Sequence, residues 1–282
     1  MPDSTFRVAL LSEVFLGDGA ADRLVARLTE ARGQGAELAV LPEIPLNPWS
    51  PATAVPRDED AEPPEGPRHR ALSQAARQAG IAVLGGAIVR EVSAGATGKR
   101  HNVGLLFDAS GGLVGSYAKL HLPDEDGFRE PAHYEPGSAP PSVLHLAGVP
   151  VGIQICSDSN RPEGSHLLGA QGAEVILAPR ATEAATWERW KLVLRANAMT
   201  SGTFIVSVNR PAPEFGVALG GPSVAIAPDG EVLLETTAPL AVVELDRGAI
   251  AAARKRYPGY MAVRAGLYGQ AWNAIAAAKP SH

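Results

Sequence analysis

Two ten-residue stretches of the chain echo each other: residues 34–43 read QGAELAVLPE and residues 171–180 read QGAEVILAPR. Each follows a helical pattern and runs into a loop, and each is preceded by an earlier apolar strand, around residues 8–11 and 151–155. A match of helix stop plus strand can arise from composition alone, but the simplest inference is two related strand–helix–strand halves. Strands that are apolar throughout belong in a sheet covered on both faces. The echo therefore predicts an α/β chain in which two sheets pack face to face with helices outside.

The remaining pattern fits that frame. Residues 20–33 read as a helix, with Leu24, Leu28 and Ala31 at helical spacing and Gly33 as its stop. Residues 68–79, 164–171, 187–201 and 247–256 read as further helices. Strands are predicted at 6–13, 37–41, 81–90, 149–155, 174–178, 204–208 and 241–245. Hairpins are predicted at 103–107/113–117, around Ser110-Gly111-Gly112, and at 223–227/232–235, around Pro228-Asp229-Gly230. Residues 45–67 and 119–137 are long polar loops, and long loops in compact domains are usually functional. Residues 91–100 read as a surface turn. Residues 1–256 form one domain, near the upper limit for a single core, out of 282 in all. Residues 257–282 form a tail of little periodicity, expected to dock on the domain or on a neighbouring subunit.

A formal charge of −5 argues against a nucleic-acid or anionic-membrane surface, so the expected partner is a small molecule or another copy of the chain. The single cysteine excludes an internal disulfide and fits a reducing compartment. The N-terminus lacks a basic region followed by an apolar one, and no apolar run approaches the ~18 residues that span a bilayer. A soluble cytoplasmic protein is expected. The seven histidines show no metal-ligand spacing and no glycine-rich phosphate loop is present, so neither metal nor cofactor is expected. His121 and His166 read as structural or supporting residues.

The lone thiol, Cys156, ends the apolar run Val149-Pro150-Val151-Gly152-Ile153-Gln154-Ile155 and precedes Ser157-Asp158-Ser159-Asn160. A strand that delivers a side chain to a sheet rim and breaks into a loop reads this way. Glu43 closes a second apolar run and Lys119 a third. A thiol near pKa ~8.5 needs a base or a positive charge to act as a nucleophile. A carboxylate, an ammonium and a thiol at three strand ends form a candidate catalytic set.

These segments resemble the nitrilase superfamily of carbon–nitrogen hydrolases. The matching motifs are Leu41-Pro42-Glu43, Tyr117-Ala118-Lys119-Leu120-His121-Leu122-Pro123, and Gly152-Ile153-Gln154-Ile155-Cys156-Ser157-Asp158 followed by Pro162-Glu163. A weaker match runs through Ser207-Val208-Asn209-Arg210, Gly221-Pro222-Ser223 and Pro228-Asp229-Gly230. The similarity spans roughly residues 6 to 245.

The resemblance implies a four-layer α-β-β-α sandwich, commonly paired through its helical faces into a homodimer or higher homo-oligomer. It implies a Glu43–Lys119–Cys156 triad: Glu43 as general base, Cys156 as nucleophile, and Lys119 with the backbone N–H of Ser157 as oxyanion donors. The loop after Lys119 is similar to that of the amidase and N-carbamoyl amidohydrolase branches, in which a second glutamate positions the substrate. Glu130 matches best, with Glu125 and Glu135 as competitors. Asp158 and Glu163 are expected to hold the loop after the nucleophile.

Trp49 and Tyr134 are candidate pocket walls, or else core or interface aromatics. Arg161 could grip a carboxylate or carbamoyl group, or pair with Asp158 or Glu163. Arg180 stands where many relatives carry something small, and is a further substrate-binding candidate. The expected reaction is hydrolysis of a small linear amide or N-carbamoyl compound with release of ammonia. The competing readings are nitrile hydrolysis, amide-forming acyl transfer, a catalytically silent partner-binding subunit, and a papain-like protease. Ser157-Asp158 stands where the nitrile-cleaving branch usually has Trp-Glu, and the papain reading lacks its signature.

Overall fold

The computed structural model describes residues 5–91, 98–258 and 263–278. Most of the surface turn expected at 91–100, and parts of the tail, lie outside the described residues. The first half contains β1 (Thr5–Leu11), α1 (Ala20–Gly33), β2 (Leu38–Val40), β3 (Ala61–Glu62), α2 (Pro67–Ala79), β4 (Ala82–Arg90), β5 (Arg100–Phe107) and β6 (Leu113–Ala118). A small hairpin follows, β7 (Asp124–Glu125) and β8 (Phe128–Arg129). The second half runs β9 (Leu144–Leu146), β10 (Val149–Ile153), α3 (Pro162–Ala170), β11 (Val175–Arg180), α4 (Trp187–Ser201), β12 (Phe204–Asn209), β13 (Ser223–Ile226) and β14 (Val232–Thr236). The chain then returns to the first sheet as β15 (Leu240–Asp246), followed by α5 (Gly248–Arg256) and α6 (Ala265–Ala278).

The echo extends across both sheets. The first is ordered β15-β1-β2-β4-β5-β6, with β3 beside β4, and the second β9-β10-β11-β12-β13-β14. In each, three central strands are parallel, one antiparallel strand flanks them on one side, and two follow on the other. The register repeats too: Val8, Leu38 and Ala82 stand abreast in one sheet, and Val151, Val175 and Phe204 in the other. Gly35 and Gly172, at matching places in the echo, have φ of 88° and 95°. A left-handed turn there returns the chain from helix to strand, and a Cβ would strain it.

Side chains alternate across each strand, and the burial follows. Val8, Leu38, Ala82, Val151, Val175 and Phe204 all point into one core between the sheets. Ala9, Leu11, Ala39 and Leu41 face outward under Leu24, Leu28 and Ala31 of α1 and Leu72, Ala75 and Ala76 of α2. Ile176, Ala178 and Ile205 do the same under Leu168 of α3 and Leu194 and Ala198 of α4. The result is the expected α-β-β-α sandwich.

Several elements were not foreseen. The first long loop contains β3, the second contains the β7/β8 hairpin, and β9 precedes β10. The tail, expected to be aperiodic, forms α6, none of whose residues is buried. No helix among the described residues is long and apolar enough to cross a membrane.

Candidate active site

In an open α/β sheet, functional groups gather at the carboxyl ends of the strands. Glu43 lies just beyond β2 and Lys119 directly follows β6. Strand β6 is two antiparallel steps from β4 and so runs the same way as β2. Both strands therefore deliver their side chains to one rim. Cys156 lies beyond β10 in the facing sheet and opens the short 3₁₀ turn Cys156–Asn160.

Lys119 is the hub. Its Nζ donates to Glu43 Oε1 at 2.9 Å and to Glu130 Oε1 at 2.6 Å, and all three side chains are shut off from solvent. An ammonium has three protons, and these bonds use two. Asn102 Nδ2 also donates to Glu43 Oε1, at 2.7 Å. Glu43 Oε2 and Glu130 Oε2 are buried and lack hydrogen-bond partners among the described residues. Each is free to accept a proton.

Burial favours the uncharged form of Lys119, but the carboxylates of Glu130 and Glu43 outweigh it and hold the ammonium well above its usual pKa. Glu130 is pushed up to about 8, by burial first; Lys119 pulls it down and Glu43 adds to the rise. The Cys156 thiol is raised by burial and then by Glu43, with Lys119 opposing. The resting sulfur is a thiol that needs a base.

Two strained residues shape the rim. Cys156 has φ 48° and Ile44 φ 39°, left-handed values that cost a side-chain-bearing residue about 1–2 kcal/mol. Around Ile44, Arg210 donates to the carbonyls of Glu43, Ile44 and Asn47 at 2.9–3.0 Å; its Nε and one terminal nitrogen also reach Glu214, whose carboxylate takes the Trp49 N–H of the same loop. Around Cys156, Asp158 takes the hydroxyl of Tyr117 at 3.0 Å and the N–H groups of Ile155, Leu120 and His121 at 3.0–3.2 Å, with His121 Nδ1 at 2.8 Å. One carboxylate thus ties the Cys156 loop to the Lys119 segment. The N–H of Ser157 is the second in its turn, where no carbonyl of the turn can accept it.

A cavity of about 160 Å³ opens over the thiol. It is lined by Pro123, Glu125 and Phe128 of the β7/β8 segment, by Cys156, Ser157 and Asn160 of the 3₁₀ turn, and by Ala181, Thr182, Glu183, Thr186, Arg189, Trp190 and Val193 of the stretch from the end of β11 into α4. The Cys156 thiol donates to the Ala181 carbonyl at 3.6 Å.

The structure brings Glu43, Lys119, Glu130, Cys156 and Ser157 together, with Glu125 on the cavity lining, and places Trp49, Tyr134, Arg161, Arg180, Glu135 and Glu163 outside that lining. Trp49 is fully buried in a cluster with Ile44, Ile88 and Tyr134, stacked edge-on to Phe128 and donating Nε1–H to the Gly127 carbonyl at 2.9 Å. Trp49 and Tyr134 are core aromatics beneath the site, outside the cavity lining. Arg161 is exposed and also outside it. Arg180 is buried, with its guanidinium on Ser207, Thr182 and Pro222. Glu135 pairs with Lys99 at the surface, at 2.8 Å. Glu125 lines the cavity mouth, and Glu163 is exposed.

Sequence reasoning missed Asn102 and the α4 wall of Arg189, Trp190 and Val193. A signal for Asn102 existed: it shares a strand face with Leu106, an inward residue, and a lone polar side chain on such a face needs a buried partner. Among the described residues, no three His, Cys, Asp or Glu side chains gather as a metal site.

The profile of the carbon–nitrogen hydrolase family matches residues 18–255. The chain is 28% identical to human omega-amidase over 278 residues, 94% of this chain and 97% of that one. It is similar in structure to an amidase from Nesterenkonia sp., at 26% identity and a TM-score of 0.75, over 94% of this chain and 95% of the amidase. A carbon–nitrogen hydrolase from Helicobacter pylori G27 superposes with a TM-score of 0.82 over 95% and 98% of the two chains, and at 19% identity that likeness speaks for the fold. With the profile covering most of its length and the strand-end residues in place, the chain belongs to the carbon–nitrogen hydrolase family of the nitrilase superfamily.

Proposed function

We propose that this amidase-type enzyme hydrolyses the non-peptide C–N bond of a small linear amide or N-carbamoyl compound through an acyl-enzyme on Cys156, releasing ammonia. One observation carries the reading: a buried ammonium held between two carboxylates, each with a spare oxygen, beside a thiol on a strained turn. The likeness to omega-amidase and to the Nesterenkonia amidase supports the amide class.

The steps follow from the atoms available. Glu43 Oε2 takes the thiol proton as sulfur attacks the carbonyl carbon. The carbonyl oxygen becomes negative and is met by the third N–H of Lys119 and the backbone N–H of Ser157, donors fixed before the reaction. Glu43 gives its proton to the nitrogen, the C–N bond breaks and ammonia leaves a thioester. Water then loses a proton to Glu43 and attacks the thioester; the C–S bond breaks and sulfur recovers the proton. Glu130 Oε2, the oxygen not taken by Lys119, hydrogen-bonds the substrate amide and orients it.

In this reading the 257–282 segment docks on the domain or on a neighbouring subunit of a homodimer or larger homo-oligomer. Exposed Leu267, Tyr268, Trp272 and Ile275 of α6 support that, and light scattering measures it. The lone buried thiol is compatible with a reducing cytoplasm.

The test is ammonia release from a panel of linear amides, N-carbamoyl amino acids and nitriles, with mass spectrometry of quenched enzyme. Amides or carbamoyl compounds should release ammonia and leave an acyl mass on Cys156, and C156A should do neither. Turnover of nitriles alone, or acyl consumption only when an amine acceptor is added, would overturn the proposal.

A further inference from the structure

We propose that Glu214 is a positioning residue, a single carboxylate that holds the turn carrying Glu43 in register with the hairpin that leads into Glu130. It does not line the cavity, so it acts through other residues. The role rests on the reading of Glu43 as base and of Glu130 as the group that orients the amide.

Glu214 opens a tight hairpin between β12 and β13. Its N–H reaches the Val217 carbonyl at 3.1 Å, and its carbonyl takes the Val217 N–H at 2.9 Å. Between them Phe215 and Gly216 have φ 48° and 83°, the double left-handed turn of a two-residue hairpin. A phenylalanine is strained there, and such strain persists where the surroundings over-determine the backbone. The carboxylate supplies much of that constraint. Oε1 accepts Arg210 Nε at 2.8 Å, while Oε2 accepts a terminal Arg210 nitrogen at 2.8 Å and the Trp49 N–H at 3.1 Å. The remaining Arg210 protons go to the carbonyls of Glu43, Ile44 and Asn47, so all five guanidinium donors are used. Among the described residues, Glu214 is the ion-pair partner of Arg210.

Both arms of this link end at the site. Through Arg210 it fixes the carbonyls on either side of the strained bend at Ile44, and with them the backbone from which the Glu43 side chain is aimed. Through Trp49 it reaches the β7/β8 hairpin. Trp49 Nε1 donates to the Gly127 carbonyl at 2.9 Å, and its ring packs edge-on against Phe128. Val217 presses on the same turn: a Cβ at Gly127 would lie 3.0–3.1 Å from the Val217 methyl groups. Phe128 lines the cavity, and Glu130 follows β8 without a break. Past Val217 the strand continues along the far wall, where Leu219 bridges Glu183 and the Gly220 N–H reaches the Thr182 carbonyl at 3.0 Å. An apolar side chain could fill this place, but an anion with two accepting edges is needed to meet Arg210 and the Trp49 N–H together.

The test compares kcat and KM for ammonia release by wild type, E214Q, E214A and L28A, each well below its melting temperature. Glutamine keeps the size, but its NH₂ must face either Arg210 or the Trp49 N–H, so one arm of the link fails. E214Q should lower kcat about tenfold and E214A about 10²-fold, the cost of a displacement of about 1 Å at the reacting groups. KM should stay within about threefold, because the cavity-lining side chains are untouched. Leu28 is buried under α1, away from the site, and L28A should lower the melting temperature while leaving kcat within about twofold. The proposal is overturned if the Glu214 variants behave like L28A, with a lower melting temperature and wild-type kcat, or if their loss lies in KM alone. Should E214A not fold, E214D replaces it: the charge is kept on an arm one methylene shorter, and kcat should fall as in E214Q. E43Q in the same assay scores the base reading separately. An inactive E43Q beside a fully active E214Q sinks the role of Glu214 alone, whereas an active E43Q sinks the base reading and this role with it.

Discussion

Lys119 Nζ stands 2.6 Å from Glu130 Oε1, and neither side chain meets solvent. Burial nevertheless keeps the carboxylate reluctant to ionise, with Glu130 pushed up to about 8. In the unfolded chain a glutamate titrates near pH ~4.3. Between those two values the folded protein binds more protons than the unfolded one. Stability contributed by Glu130 is therefore full below about pH 4.3 and is lost as pH rises through about 8. Urea midpoints at pH 5.5 and 8.5 should fall with pH in the wild type and fall less in E130Q. An identical slope in the two proteins would remove Glu130 from the account. E130Q should also turn over amides about 10²-fold more slowly, as expected when a substrate is oriented about 1 Å off.

Replacing Lys119 by Met strands two buried carboxylates. Breaking a buried ion pair from one side costs about 3–5 kcal/mol. In the proposed mechanism Lys119 also meets the developing oxyanion, so kcat should drop about 10²–10³-fold. Ammonia release and urea denaturation measure both effects. A Cys–His enzyme would be nearly indifferent, so K119M turning over within threefold of wild type would dispose of the triad.

Asn102 tests the aim of the base. Its Nδ2 bond and that of Lys119 hold Glu43 Oε1, which leaves Oε2 as the free oxygen. N102A should let the carboxylate swing and cost about tenfold in kcat. N102D sets a second carboxylate against Glu43 and should cost more than N102A. Equal activity of N102A and wild type would mean that Lys119 alone orients the base.

The sequence carried the fold because its signals were local and repeated. Apolar strands in two matching halves demand two doubly covered sheets, and the register of Val8 with Leu38 recurs as Val151 with Val175. The candidate set was legible because each member ends an apolar run, and motif order joined residues 43, 119 and 156. The cavity walls were not legible. Which side of α4 meets the β7/β8 hairpin depends on how the two sheets stack, and no local pattern encodes that. Trp49 illustrates the limit: it lies next to the site in sequence, yet its large apolar ring is worth more in the core with Tyr134 than at a wet cavity. Arg161 sits one residue past the nucleophile's turn and points to solvent, because the turn had already closed.

Asp158 gives the last test, of how the loop after Cys156 is held. Its two oxygens face four donors at 3.0–3.2 Å, namely the Tyr117 hydroxyl and the N–H groups of Ile155, Leu120 and His121. In D158N one oxygen becomes an NH₂, so at least one of the backbone N–H donors meets another donor. The expected loss is about 1.5–3 kcal/mol, the range for hydrogen bonds to a charged group. The turn that holds Cys156 at φ 48° and aims the Ser157 N–H would then drift from the Lys119 segment. A drift of about 1 Å lowers kcat about 10²-fold. Y117F removes a single donor and leaves the carboxylate in place, so it should cost about 1 kcal/mol and change kcat only a few-fold. Melting temperatures and ammonia release for both variants decide the matter: if D158N behaves like Y117F in both measurements, the clamp is not what holds the nucleophile's turn in register with Lys119.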